Sequence, residues 1–173
     1  DTDGPALETP FEGSLTADID YQNSGSELII SWSGSDPASG IAFYEYALGT
    51  TSGASDAVNW TMADTSIADT LYFTVFSLTE GATYYLSVRA TDNVGNLSSA
   101  STGDGIYIDL TNPVAGSAID GTSADLSYTG ADSTLTVTWS DFSDAHSGIT
   151  SYKAAIEDAA GNSVVEWTDV GND

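Results

Sequence analysis

Trp139 follows Trp32 by 107 residues, and the two sit in matching surroundings, Val137-Thr138-Trp139-Ser140 and Ile30-Ser31-Trp32-Ser33. Upstream, Ala17-Asp18-Ile19-Asp20-Tyr21 matches Ala124-Asp125-Leu126-Ser127-Tyr128 at the same offset of 107. Downstream, Asp36, Ser39-Gly40-Ile41 and Tyr44 match Asp144, Ser147-Gly148-Ile149 and Tyr152 at 108, and Trp60-Thr61 matches Trp167-Thr168 at 107. Asp1 and Pro5 match Asp109 and Pro113. Rare residue types landing in register this often rule out coincidence. A unit of about 107 residues is far longer than a solenoid repeat and has the size of a free-standing β-sandwich. The chain therefore reads as one complete unit, 1–108, and the N-terminal part of a second copy, 109–173, whose last residue corresponds to Ser66.

Short alternating apolar runs, separated by Gly, Asn, Asp and Ser, recur along the chain, and no apolar stripe of helical period persists. Strands are expected at 17–21, 27–33, 43–48, 58–62, 71–78, 84–90 and 105–108. Leu28, Ile30 and Trp32 share one strand face, as do Tyr44, Tyr46 and Leu48, and Tyr84, Leu86, Val88 and Ala90; these are the candidate core. In the second unit strands are expected at 124–128, 134–140, 149–157 and 163–168. A hairpin turn at 158–162 would place Gly161 at positive φ and Asp158 as a local cap. The fold class is all-β, tandem immunoglobulin-like sandwiches with the second incomplete. A partial sandwich leaves an apolar face and open strand edges, so further strands, from the same chain or a neighbouring one, are expected to cover them.

Charge narrows the partners. Two cations, Arg89 and Lys153, face 26 Asp and Glu, a formal charge of −24. Nucleic acid needs clustered Lys and Arg, and an anionic membrane would repel such a chain. Cations, above all calcium, are the favoured partners, and a salty medium would screen the self-repulsion. There is no Cys, hence no disulfide framework or thiolate metal site. No apolar run approaches the about 20 residues of a membrane span, and no signal peptide is visible. The first residue is Asp1, as expected of a mature or excised segment. The expected location is extracellular or at the cell surface.

Three groups of residues carry a family resemblance: the strand around Trp32, Leu78-x-x-Gly81-x-x-Tyr84, and Val88-Arg89-Ala90-x-Asp92. Together they resemble a fibronectin type III module, with Leu78 and Tyr84 matching that family's tyrosine corner. The resemblance implies that the Tyr84 hydroxyl bonds back to the chain ahead of its own strand. Asp36…Ser39-Gly40-Ile41 and Asp92-Asn93-Val94-Gly95-Asn96 resemble variants found in large secreted proteins of bacteria. The resemblance spans 1–108 well and 109–173 in part. It implies a spacer, an adhesion module or an accessory domain of a secreted enzyme; the family's Arg-Gly-Asp integrin tripeptide is absent.

Catalytic constellations are scarce. His146 is the single His, has Ala38 as its counterpart, and lies in a Ser-Gly loop, so a Ser–His–Asp triad has little to build on. Carboxylates are plentiful, but the sequence singles out no pair facing a cleft. Gly103-Asp104-Gly105 has no helix after it and does not read as a phosphate loop. The expected function is non-catalytic. The strongest site candidates are the acids expected at one pole of each unit: Asp1, Asp3, Asp36 and Asp92, beside Asn93 and Asn96, and then Asp109, Asp141 and Asp144. Converging carboxylate and amide oxygens are what calcium requires, and an ion there would stiffen the junction between units. The alternative is that Asp36, Asp92 and Asp144 only cap their own loops. Trp60 and Trp167, like Trp32 and Trp139, recur at strand positions and are expected in the core, whereas Tyr85 and Phe73 are candidates to face outward. The partners to expect are neighbouring units of the same protein or like chains, and a carbohydrate or surface protein if the chain is an adhesin.

Overall fold

The alternating runs form strands in the computed structural model of the chain, which describes residues 1–13, 17–63, 70–73 (backbone alone), 77–130 and 134–172. All regular structure among them is β, and no helix is long and apolar enough to cross a membrane. The chain divides into two units, Asp1–Leu110 and Thr111–Asp173.

In the first unit the strands are β1 (Ala6–Leu7), β2 (Phe11–Glu12), β3 (Tyr21–Gln22), β4 (Leu28–Ser31), β5 (Gly34–Ser35), β6 (Ile41–Gly49), β7 (Val58–Met62), β8 (Thr70–Phe73), β9 (Thr83–Asp92), β10 (Ser101–Thr102) and β11 (Ile106–Ile108). One sheet runs β3-β11-β9-β6-β7, with β10 also on β9; a second runs β2-β4-β8; β1 and β5 form a short ribbon. All pairs are antiparallel except β3 with β11. The expected strand at 71–78 begins at Thr70 and is seen to Phe73; 74–76 lie outside the described residues.

Both larger sheets feed one hydrophobic cluster. Leu28, Ile30 and Trp32 come from β4 and its end, Tyr44, Tyr46 and Leu48 from β6, Tyr84, Leu86, Val88 and Ala90 from β9, and Ile106 and Ile108 from β11. These are the faces that the period-two alternation predicts. Burying each large apolar side chain contributes roughly 1.5–3 kcal/mol before the cost of ordering the chain. The Tyr84 hydroxyl accepts the Thr79 N–H at 3.1 Å, the backward bond expected of that tyrosine, and Leu78 is buried beside it.

The edge of β9 is interrupted. β11 pairs with Tyr84 and Thr83, β10 with Val88 and Ser87, and Gly103–Gly105 lies between. The Leu86 carbonyl there accepts the Gly103 N–H at 2.9 Å, and the Leu86 N–H, having no strand partner on that edge, donates to Glu12 Oε1 at 2.7 Å.

The second unit contains β12 (Ser117–Asp120) paired with β13 (Val137–Ser140), and β14 (Tyr152–Glu157) paired with β15 (Ser163–Gly171). Its pairings echo the first. Phe11 and Glu12 face Ser31 and Ile30; Ile119 and Asp120 face Thr138 and Val137. The Gly13 N–H donates to Ile29 and the Gly121 N–H to Thr136, both at 2.7 Å. The segment 124–128, expected to be a strand, is irregular, and the strand forms at 117–120 instead. The reason is visible in the first unit. Tyr21 and Gln22 are a strand only through β11, and no counterpart of β11 falls within the 173 residues.

Candidate functional site

Asp36, Ser39 and Gly40 form a tight loop after β5. Asp36 Oδ1 accepts the N–H groups of Ala38, Ser39 and Gly40 at 2.9, 2.7 and 3.2 Å, while Gly40 takes φ 74°, a conformation costly for any residue with a Cβ. At the end of β9, Asp92 closes the next loop. Its Oδ1 accepts the N–H groups of Val94 (3.0 Å) and Asn96 (2.7 Å), and its Oδ2 accepts the Ser39 hydroxyl (3.0 Å) and the Asn96 side-chain amide (2.8 Å). The same Ser39 hydroxyl lies 2.9 Å from Asp1 Oδ2, so its single proton is shared between Asp1 and Asp92 and ties the start of the chain to both loops.

The structure thus gathers Asp1, Asp36 and Asp92, with one oxygen of each lying within 4.8 Å of the others. Asp3 enters through its backbone: its N–H donates to Asp1 and its carbonyl accepts from Asn96. Asn93 donates to the Ser39 carbonyl at 2.8 Å. Asp92 is 2% exposed, and that burial opposes ionisation; the backbone and side-chain donors of Asn96, the Ser39 hydroxyl and the Val94 N–H outweigh it and hold the pKa at about 2. The three N–H donors hold Asp36 below its ordinary value too, against a raising influence of burial and of Asp92. Four donors fill the acceptor capacity of Asp92. The chemistry of this pole is loop capping by ionised carboxylates. A cation could reach Asp1 and the outer oxygen of Asp36, but would compete with those donors for Asp92.

The acids placed later in the chain are distributed differently. Asp109 belongs to the first unit, is buried, and donates its N–H to the Gln22 carbonyl. In the second unit, Asp144 repeats Asp36: it accepts the N–H groups of His146 and Gly148, both at 3.0 Å, and Gly148 takes φ 75°. Asp141 sits at φ 63° and accepts the Ser140 hydroxyl at 2.8 Å. Asp158 caps its hairpin turn through the N–H groups of Ala160 and Asn162, both at 2.9 Å. His146 is half-buried, with Nδ1 at 3.4 Å from the Thr111 hydroxyl.

The aromatics diverge from expectation. Trp32 is core, but Trp60 is only half-buried and lies beneath the Arg89 guanidinium, 4.3 Å from the ring centroid. Arg89 also donates to both Glu45 oxygens, at 2.8 and 3.1 Å. Trp167 is 69% exposed. Tyr85 is half-buried, and the Phe73 side chain lies outside the described residues. In the second unit Pro113, Val137, Trp139, Tyr152, Trp167 and Val170 help line a groove of about 430 Å³.

A second acidic group was not singled out by the sequence. Oxygens of Glu12, Asp18 and Asp104 also lie within 4.8 Å of one another. Glu12 is completely buried, Asp18 accepts its N–H at 3.1 Å, and the Cβ position of Gly103 falls 2.5 Å from Glu12 Oε2. Two signals pointed there: a Glu within the otherwise neutral Pro10-Phe11-Glu12-Gly13, and the Gly103-Asp104-Gly105 turn.

No protein-family model matches the chain, and no curated protein matches it.

Proposed function

We propose that the chain is a non-catalytic spacer segment of an extracellular or cell-surface protein, built from tandem fibronectin type III-like sandwiches, with the second copy represented in part. The observation that carries this reading is what the two units have in common. They share strand pairings and capped loops: Phe11–Ser31 with Ile119–Thr138, and Asp36–Gly40 with Asp144–Gly148. His146, the one imidazole of the chain, answers to Ala38 and is not part of what repeats. Repetition of scaffold alone is what a spacer requires. The single core drawing on both larger sheets and the Tyr84 bond support the sandwich reading. The charge of −24 suits an exposed, well-solvated segment. Small-angle scattering and single-molecule pulling on the chain test the reading. A spacer gives an elongated particle and a cooperative unfolding event for the first unit; a collapsed particle that unfolds without a distinct step would contradict it.

The second-unit groove supports another reading, an adhesin module. Trp139, Tyr152 and Trp167 offer aromatic faces to a sugar ring or an apolar peptide. A glycan array distinguishes the two: saturable binding abolished by Trp167→Ala establishes the adhesin, and its absence leaves the spacer.

A further inference from the structure

Glu12, Asp18 and Asp104 form a cluster of negative charge with no protein cation to balance it. The one Lys or Arg of the first unit, Arg89, is held by Glu45 over Trp60. Three carboxylates this close repel one another. Burial, the neighbouring Asp104 carboxyl and the charge of Asp20 all raise the Asp18 pKa against the pull of the Glu12 N–H.

The pole described above is crowded too, but there each carboxylate meets N–H and O–H donors. Here the donors run out. Glu12 Oε1 receives the Leu86 N–H, whereas Oε2, on a side chain with no exposed surface, makes no hydrogen bond, and the Gly105 backbone N–H exerts only the weakest pull on the carboxyl. A buried carboxylate oxygen left without a donor is strongly unfavourable, and one set beside two exposed carboxylates is what a hard cation stabilises. The absence of a Cβ at Gly103 leaves room for the Glu12 carboxylate, and Asp104 follows it directly in the turn between β10 and β11.

We propose that Glu12, Asp18 and Asp104 bind a calcium ion, with Glu12 as the buried anchor, the two aspartates closing from the solvent side, and water completing the six to eight oxygens that calcium takes. The ion joins β2 and the stretch just after it, six residues on at Asp18, to the β10–β11 turn far along the chain. It places opposite charge among three carboxylates whose oxygens lie within 4.8 Å of one another.

The second unit repeats part of the arrangement. Asp120 and Asp125 occupy the places of Glu12 and Asp18, and Leu126 donates its N–H to the Asp120 carbonyl as Ile19 does to that of Glu12.

The test is calorimetric titration of the 173-residue chain, stripped with chelator, with calcium chloride. Wild type is compared with Asp104→Asn and Glu12→Gln, and with Asp36→Asn at the pole. Asp104 is exposed in a turn, so its variant should keep the fold, and circular dichroism checks both. Wild type and Asp36→Asn should bind alike, and Asp104→Asn should bind roughly tenfold or more weakly. Absence of calcium binding by wild type, equal affinity in Asp104→Asn, or a loss confined to Asp36→Asn would each overturn the assignment. If Glu12→Gln does not fold, Asp104→Asn decides alone. A spacer needs no ion at this place, so failure here leaves the scattering result standing.

Discussion

Glu12 and Leu86, 74 residues apart, are joined through the interior by a 2.7 Å bond from the Leu86 N–H to the Glu12 carboxyl. Burial is the strongest influence on that carboxyl and lifts its pKa to about 7; the charges of Asp18 and Asp104 act in the same direction, and the N–H groups of Leu86 and Gly105 pull it back. The folded value lies above the ordinary 4.5, so the folded chain holds this proton more tightly than the unfolded one. That contribution is complete below pH 4.5 and is lost as pH rises through about 7. In chelator, denaturant-measured stability should fall across this window by on the order of 3 kcal/mol from Glu12 alone. Glu12→Gln should flatten the slope, and an unchanged slope would contradict the assignment.

Gly103 tolerates no side chain. A Cβ there would lie 2.5 Å from Glu12 Oε2 and 2.8 Å from its carboxyl carbon, and the Glu12 side chain is fully buried. Gly103→Ala should lower stability by about 1–3 kcal/mol through overpacking. Urea unfolding measures it; wild-type stability would show that the carboxylate can move aside.

Tyr84→Phe removes the acceptor of the Thr79 N–H while keeping the buried ring. The expected loss is about 1 kcal/mol. Leu86→Ala, two residues along the same face of β9, should cost about 2–5 kcal/mol. A Tyr84→Phe loss as large as that of Leu86→Ala would mean the hydroxyl carries more than this one bond.

Asp92 has the opposite pH signature to Glu12. Its folded pKa of about 2 lies below the ordinary 3.8, so its contribution is present above 3.8 and is lost as pH falls through about 2. Asp92→Asn should lower the melting temperature at neutral pH by several degrees and weaken the acid limb of the stability curve. Asp158→Asn, in an exposed turn of the same Asp-x-x-Gly-Asn pattern in the second unit, should do less. Equal effects at the two positions would contradict the role given to burial.

The core was legible because its strands are half-buried, and half-burial writes an alternation into β4, β6 and β9. The caps at Asp36 and Asp144 were legible because a carboxylate followed by Ser-Gly satisfies its own loop. β2 was not legible: two residues long and containing Glu12, it resembles a loop until the Leu86 N–H is seen to lack a strand partner. Residues 124–128 misled for the converse reason, since their pattern copies 17–21 while the strand that organises 21–22 has no copy in the chain. Trp60 was read as core by its repetition, but a ring sheltered by a guanidinium repeats just as well in sequence as one sheltered by leucines. The Glu12–Asp18–Asp104 group joins β2 and the stretch just after it to a turn far along the chain, so only the fold could assemble it.

The scarcity of cations has a consequence for proteolysis. Arg89 lies inside β9 and Lys153 inside β14, so a protease that cuts after Lys or Arg finds no target in any loop. Loops are where nicking ordinarily begins, and here cleavage must wait for a strand to leave its sheet. β9 is the shared member of the largest sheet, paired on both edges, so a tryptic cut at Arg89 reports the opening of the whole first unit. Holding both bases within paired strands makes the folded chain a slow substrate for trypsin-like enzymes.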